Sequence, residues 1–225
     1  MDAVEKNRKK NLTRLSSLFN EFGDDERSLG WTKKKQNLRF QQIVSRLNIM
    51  NKEILDIGCG FGDLYSYLKL NNDVLFNYTG IDIMPEFIEL AKKKNPEGCF
   101  LTADFMNWDS NKRFDYIIAC GCFFNLDPIN EDESYSFIND FISKALSALH
   151  ENGLICLHFL NDKVDYHTSK EDFHVSPERV LSISYGYSRR VILDNSVFPF
   201  ETCIYIYKDD SFSKETTVFS DLNLI

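Results

Sequence analysis

Residues Ile54–Leu64 read Ile-Leu-Asp-Ile-Gly-Cys-Gly-Phe-Gly-Asp-Leu. A short apolar run ends at Asp56 and passes through Gly58, Gly60 and Gly62. It then gives way to a helical pattern with Leu64, Tyr65 and Leu68 on one face. This is a strand, a tight turn and a helix, the form a nucleotide-type cofactor loop takes in an α/β fold. Glycine reaches the left-handed backbone region such a turn needs and lets backbone approach a ligand with no Cβ in the way.

The spacing separates two cofactor classes. A dinucleotide loop runs Gly-x-Gly-x-x-Gly, with a pyrophosphate over the helix N-terminus. Here the glycines fall as Gly-x-Gly-x-Gly behind an acid, Asp56. A carboxylate in the loop suits a ligand with a cationic amino group better than one with two phosphates. The stretch resembles the first motif of class I S-adenosylmethionine-dependent methyltransferases, whose cofactor carries an ammonium and a sulfonium. The resemblance makes Asp56, Gly58, Cys59, Gly60, Gly62, Asp63 and Leu64 cofactor-binding candidates, with S-adenosylhomocysteine as the product.

Working outward, Tyr78–Ile83 reads as a strand with Asp82 at its end. Asp82 follows the loop by close to the ~20 residues expected of a ribose-binding acid. Pro85 then opens a helix over Pro85–Lys94, proline being favoured in a first helical turn. The resemblance implies that Ile83 and Met84 pack on the adenine. A third short strand, Cys99–Leu101, leads to Ala103-Asp104-Phe105. In similar methyltransferases the matching acid accepts the adenine amine and the next backbone N–H meets a ring nitrogen, which assigns Asp104 and Phe105. Capping of a turn is the competing role for Asp104.

The chain has 225 residues, 43% of them hydrophobic, enough for one α/β domain with a sizeable core. No apolar run approaches the ~20 residues of a membrane helix, and the charged start lacks the apolar segment of a secretory signal. A cytoplasmic protein is expected. The net charge of −8 argues against a large nucleic-acid partner, because phosphates call for a basic face. The basic runs Arg8–Lys10, Lys33–Lys35, Lys92–Lys94 and Arg189–Arg190 read as solvated helix faces and ends. The six cysteines show no Cys-x-x-Cys pair, so no metal site is expected and buried reduced thiols are the simplest reading.

The pattern divides the chain into a helical lid segment (1–50), a Rossmann-like methyltransferase domain (51–208) and a tail (209–225). In the first segment Leu12, Leu15, Leu18, Phe19 and Phe22 recur at helical spacing, and Leu38, Ile43, Val44 and Leu47 form a second stripe. Further strands are expected at Glu53–Ile57, Phe114–Ala119 and Gly153–Phe159, with a helix from about Glu133 to His150. Alternation of this kind implies a doubly wound parallel sheet that binds ligands at its carboxyl edge. Ser176-Pro177 reads as N-cap and first turn of a helix. Arg190–Leu193 and Glu201–Tyr207 read as a closing hairpin. The expected whole is the seven-stranded, mostly parallel class I sheet with an antiparallel last strand.

The acceptor pocket belongs above the fourth and fifth strands. After the fourth comes Cys120-Gly121, assigned to the methionine portion of the cofactor, then Phe123, Phe124 and Asn125, the last a polar group able to orient an acceptor. After the fifth come Asn161, Tyr166 and His167; His167 is a candidate general base and Tyr166 a second candidate. His158, within the strand, reads equally as a core histidine or a base.

The stretch Leu29–Phe40, and with it about Leu29–Tyr207, resembles a group of small bacterial methyltransferase-like proteins. That match adds Trp31, Gln36 and Arg39 as cofactor candidates. A guanidinium can hold the methionine carboxylate by a bidentate contact; the alternative is Trp31 as a core anchor and Arg39 on the surface.

The expected activity is methyl transfer from S-adenosylmethionine to an oxygen or nitrogen of a small-molecule acceptor, by a monomer or homodimer. An RNA or protein methyltransferase is the alternative, although the Asn/Asp-Pro-Pro-aromatic motif of many amino-group methyltransferases is missing. Asp127-Pro128 is only a partial likeness. A non-catalytic S-adenosylmethionine-binding protein is the third reading.

Overall fold

The computed structural model describes residues 3–29, 33–123, 126–127, 129–163 and 173–208. Two helices, α1 (Ala3–Phe22) and α2 (Lys33–Val44), precede the sheet, separated by a short 3-10 turn at Glu26–Leu29. Then follow β1 (Glu53–Ile57), α3 (Asp63–Asn71), β2 (Asn77–Asp82), α4 (Pro85–Lys94), β3 (Cys99–Thr102) and β4 (Phe114–Cys120). The chain continues through α5 (Glu131–Ala148), β5 (Leu149–Leu160), α6 (Pro177–Tyr185), β6 (Val191–Asp194) and β7 (Glu201–Tyr207). The seven strands lie in the order β3-β2-β1-β4-β5-β7-β6. β1 to β5 pair in parallel, and β7 runs antiparallel to both its neighbours.

A parallel sheet covered on both faces needs apolar residues at successive strand positions. Leu55, Ile57, Ile117, Ile155 and Ile204 turn to a cluster that includes Ile138, Phe141 and Ile142 of α5 and Val180 of α6. Their neighbours Ile54, Ile118, Cys156 and Tyr205 turn to the opposite cluster with Ile43 of α2, Leu68 of α3 and Ile88 of α4. The strand order reverses between β1 and its two neighbours β2 and β4, so the crevice at the carboxyl edge opens above β1.

Local chemistry sets the element ends. Ser176 Oγ accepts from the Arg179 N–H at 3.3 Å and Pro177 opens α6, as the sequence pattern implies. α5 starts two residues earlier than expected, because Asn130 Oδ1 caps it by accepting from the Glu133 N–H at 3.4 Å. β5 starts at Leu149 rather than Gly153: Leu149 pairs with Phe114, and a register irregularity follows before Tyr116 meets Leu154. The polar residues at that irregularity conceal the strand's first half in the sequence.

Two expectations are corrected. Leu38 is not part of the buried stripe of α2; it is 44% exposed, and Phe40 is buried beside Ile43 instead. That buried face also carries Gln36, Arg39 and Gln42, each with a polar partner, so hydropathy periodicity misplaces it. Cys99 is exposed, since β3 is an edge strand. The expected tail, 209–225, lies outside the described residues.

Candidate cofactor site

A pocket opens above the carboxyl ends of β1, β2 and β4. Its lining includes Asp56 of β1, Gly58, Cys59 and Gly60 of the first loop, Asp63 and Leu64 at the start of α3, and Asp82 and Ile83 at the end of β2. Asp104 and Phe105 line it after β3, and Cys120 and Gly121 after β4. Gln36 and Arg39 of α2 complete this wall. The sheet thus brings together most of the residues that the sequence assigns to one ligand.

The loop holds its shape by backbone geometry. Gly60 has φ +53°, and a Cβ there would press on the Leu29 side chain at 3.1 Å. Gly58 has φ +71°, and a Cβ there would meet Cys122 Sγ at 2.8 Å. Neither position accepts a side chain without strain. Asp82 braces the loop from the next strand: one carboxylate oxygen accepts from the Gly60 N–H and the other from the Met84 N–H, each at 3.0 Å. Burial raises the Asp82 carboxyl to about 6, with the backbone donors Met84, Gly60 and Ile83 pulling it back.

Asp56 is 3% exposed and accepts a hydrogen bond from the Tyr78 hydroxyl. Burial raises it to about 7; the Tyr78 hydrogen bond lowers it, while Asp82 and Asp63 raise it further. Two buried carboxyls held above their ordinary range, with a third acid at Asp63, make a site short of positive charge. A ligand bearing ammonium and sulfonium fits that deficit, and the glycine positions leave room for its close approach.

Asp104 takes the capping role weighed for it and also stands at the pocket. Its Oδ1 accepts from the Met106 N–H at 3.1 Å and its Oδ2 from the Asn107 side chain at 2.6 Å, capping a turn, while the residue lines the pocket. Met84 and Gly62 do not line the pocket. Met84 packs with Phe61 and Phe87 under Leu12, Leu15 and Phe19 of α1, and Gly62 backs onto Asn95 and Phe100.

Arg39 is not on the surface. Its Nε donates to Glu201 Oε2 at 2.6 Å and its Nη2 to Oε1. Glu201 also meets His158 Nε2 at 3.0 Å, and His158 Nδ1 lies 3.7 Å from Cys120 Sγ. Burial opposes ionisation of Glu201, but Arg39 and His158 more than offset it and hold the carboxyl below its ordinary value. His158 therefore belongs to a buried network behind the pocket. Asn161 is fully buried: its amide donates to Pro199 O and Thr202 Oγ1, both at 3.1 Å, so it ties β5 to the β7 connection and does not face an acceptor. Trp31, Asn125, Tyr166 and His167 lie outside the described residues.

Several lining residues carry no sequence signal of their own. Leu15 and Leu29 come from the helical segment, and Phe137 and Phe141 from α5. Their apolar spacing reads as core. Glu201, at the start of β7, reads as a strand residue, because nothing local links it to Arg39 162 positions away.

Residues 55–155 match the family described as "Methyltransferase domain". The cyclopropane-fatty-acyl-phospholipid synthase of Escherichia coli K12 is 28% identical over 144 residues, 63% of this chain and 34% of that protein. The trans-aconitate 2-methyltransferase of Escherichia coli O1:K1 / APEC is 33% identical over 79 residues, 35% of this chain and 31% of that protein. The chain thus spans about a third of the length of these curated relatives. Among solved structures, the Haemonchus contortus phosphoethanolamine N-methyltransferase 1, in complex with phosphoethanolamine and S-adenosylhomocysteine, superposes with a TM-score of 0.71 at 16% identity. That likeness covers 98% of this chain and 54% of the other. Residues 55–155 thus carry the match to a methyltransferase domain, and the strand order is that of the Rossmann-like methyltransferase fold.

Proposed function

We propose that this protein transfers the methyl group of S-adenosylmethionine to an oxygen or nitrogen of a small-molecule acceptor, in the cytoplasm. The observation that carries the reading is the convergence of Asp56, Asp82 and Asp104 on one pocket beside the Gly58–Gly60 turn. When bound, the cofactor supplies an electrophilic methyl on a sulfonium. Asp82 offers its carboxylate to the ribose, Asp104 to the adenine amine, and Asp56 to the ammonium. Arg39 stands at the same wall for the carboxylate, its orientation fixed by Glu201. In this reading Trp31 is assigned to the cofactor and Asn125, Tyr166 and His167 to the acceptor, with His167 as base, on the sequence alone. Phe105, Phe123, Phe137 and Phe141 give the pocket an apolar lining, and an apolar lining favours the loss of charge during transfer.

Calorimetry with S-adenosylmethionine, S-adenosylhomocysteine and NAD tests the cofactor. Binding of the first two without the third is expected; binding of none overturns the reading. A screen of small-molecule acceptors with radiolabelled methyl donor, followed by RNA and protein, then decides the acceptor class.

A further inference from the structure

Asp56 has a partner that the glycine loop does not supply. Tyr78 stands opposite Ile54 in the parallel β1–β2 ladder, and Ile54 and Asp56 share a face of β1. The Tyr78 ring lies against Tyr65 of α3 and Phe100 of β3, with ring centroids 5.2 and 5.8 Å away. Held there at 6% exposure, it aims its hydroxyl at Asp56 Oδ2. Tyr78 does not line the pocket, whereas Asp56 does.

A buried carboxylate stays ionised only with donors or positive charge around it. Among the described residues, it is the Tyr78 hydroxyl that donates to the Asp56 carboxylate. The other groups facing this corner are mostly anionic or neutral. Asp82 comes from the end of β2 and Asp63 from the start of α3. Cys59 of the loop, Cys120 at the end of β4 and Cys122 just beyond it have thiols pushed up by burial. Gln36 of α2 donates to Asp63 at 3.2 Å, and Arg39 of α2 is paired with Glu201.

We propose that Tyr78 is a positioning residue of the cofactor site: its hydroxyl, locked by Tyr65 and Phe100, holds Asp56 as an oriented carboxylate for the cofactor's ammonium. The proposal rests on the S-adenosylmethionine reading above. Tyr78 touches no ligand and acts through Asp56. Without the hydroxyl, Asp56 takes up its proton more readily, and capture of an ammonium needs a higher pH.

Tyr78→Phe removes one oxygen and keeps the ring packing. In ligand-free protein with 13C-labelled aspartate carboxyls, the Asp56 titration should move to higher pH in the variant. S-adenosylhomocysteine affinity should fall by roughly three- to tenfold at pH 7 and recover at higher pH, since a one-unit displacement of the titration is tenfold in ionisation. Affinity for 5′-methylthioadenosine, which lacks the amino-acid portion, should not change. An unmoved Asp56 titration, or equal losses for both ligands at every pH, overturns the proposal and leaves Tyr78 a packing residue.

If Tyr78→Phe does not fold, Asp56→Asn keeps the tyrosine's partner in place. It should bind S-adenosylhomocysteine weakly and lose the upper part of the rise with pH; wild-type affinity in that variant overturns the proposal. Wild-type protein that binds neither ligand sinks the cofactor reading itself, and a displaced Asp56 titration in Tyr78→Phe would still separate the two failures.

Discussion

At the scale of single residues, the site rests on buried carboxyls whose titration is raised toward neutrality by burial. Asp82 braces the Gly60 and Met84 backbone, and in the proposed function it also receives the ribose. Asp82→Ala should therefore weaken S-adenosylhomocysteine binding by about 1–3 kcal/mol, read by calorimetry on folded protein; unchanged affinity would remove Asp82 from the ribose. Asp56 sets a pH dependence whose sign follows from its environment. The folded carboxyl titrates at about 7 against an ordinary 3.8, so between those values the folded state binds more protons than the unfolded chain. The Asp56 contribution to stability is full below the lower value and is lost as pH rises through the upper one. Asp56→Asn should accordingly gain stability relative to wild type between pH 5 and pH 8, measured by urea unfolding at both. A cationic ligand reverses the preference, and its binding near neutrality should release a proton. Calorimetry in two buffers of different ionisation heat detects that release, and the absence of any buffer dependence would argue against an ionised Asp56 in the complex.

At the scale of elements, α2 is bound to the sheet by polar contacts. Arg39 reaches Glu201 of β7, Gln36 reaches Asp63 of α3, and Gln42 donates to the Asp194 carbonyl of β6 at 3.2 Å. Breaking a buried pair leaves a stranded charge, which costs more than the pair itself contributes. Glu201→Ala should destabilise the protein by about 3–5 kcal/mol, while Arg39→Met with Glu201→Leu should recover most of that loss. Denaturant titrations of the three proteins decide the matter, and a double variant no better than Glu201→Ala would contradict it. The loop makes a steric claim of a different kind. Gly60→Val places a side chain at positive φ against Leu29, so cofactor binding should be abolished while the sheet still forms; normal binding would show that the loop is not the cradle. α1 docks by Leu12, Leu15 and Phe19 on Phe61, Met84 and Phe87, with Phe19 and Phe87 centroids 5.7 Å apart.

At the scale of the whole molecule, the reversal of strand order places three loops over one crevice, and the covering helices close it. Among the described residues no helix is long and apolar enough to cross a membrane. The seven strands were legible from short apolar runs with turn signals at their ends, although the polar first half of β5 was not; Glu53–Ile57 and Glu201–Tyr207 have the bounds read from the sequence. The cofactor candidates were legible for the same reason: Asp56 and Asp82 lie in the last residues of β1 and β2 and Asp104 just past β3, and a parallel sheet puts all such ends on one edge. The acidic partner of Arg39 was not legible, and neither was the exposure of Leu38.

The sequence by itself determined the α/β order, the glycine loop and the three acids that meet at one pocket, because these are properties of local pattern and strand polarity. The tertiary structure alone decided which charges are shared. It set Tyr78 behind Asp56, joined Arg39 to Glu201 and His158, and turned the polar face of α2 inward. Those contacts join residues from 22 to 162 positions apart. No local periodicity encodes such a pairing; it exists only once the sheet has set the strands side by side and water has left the space between them.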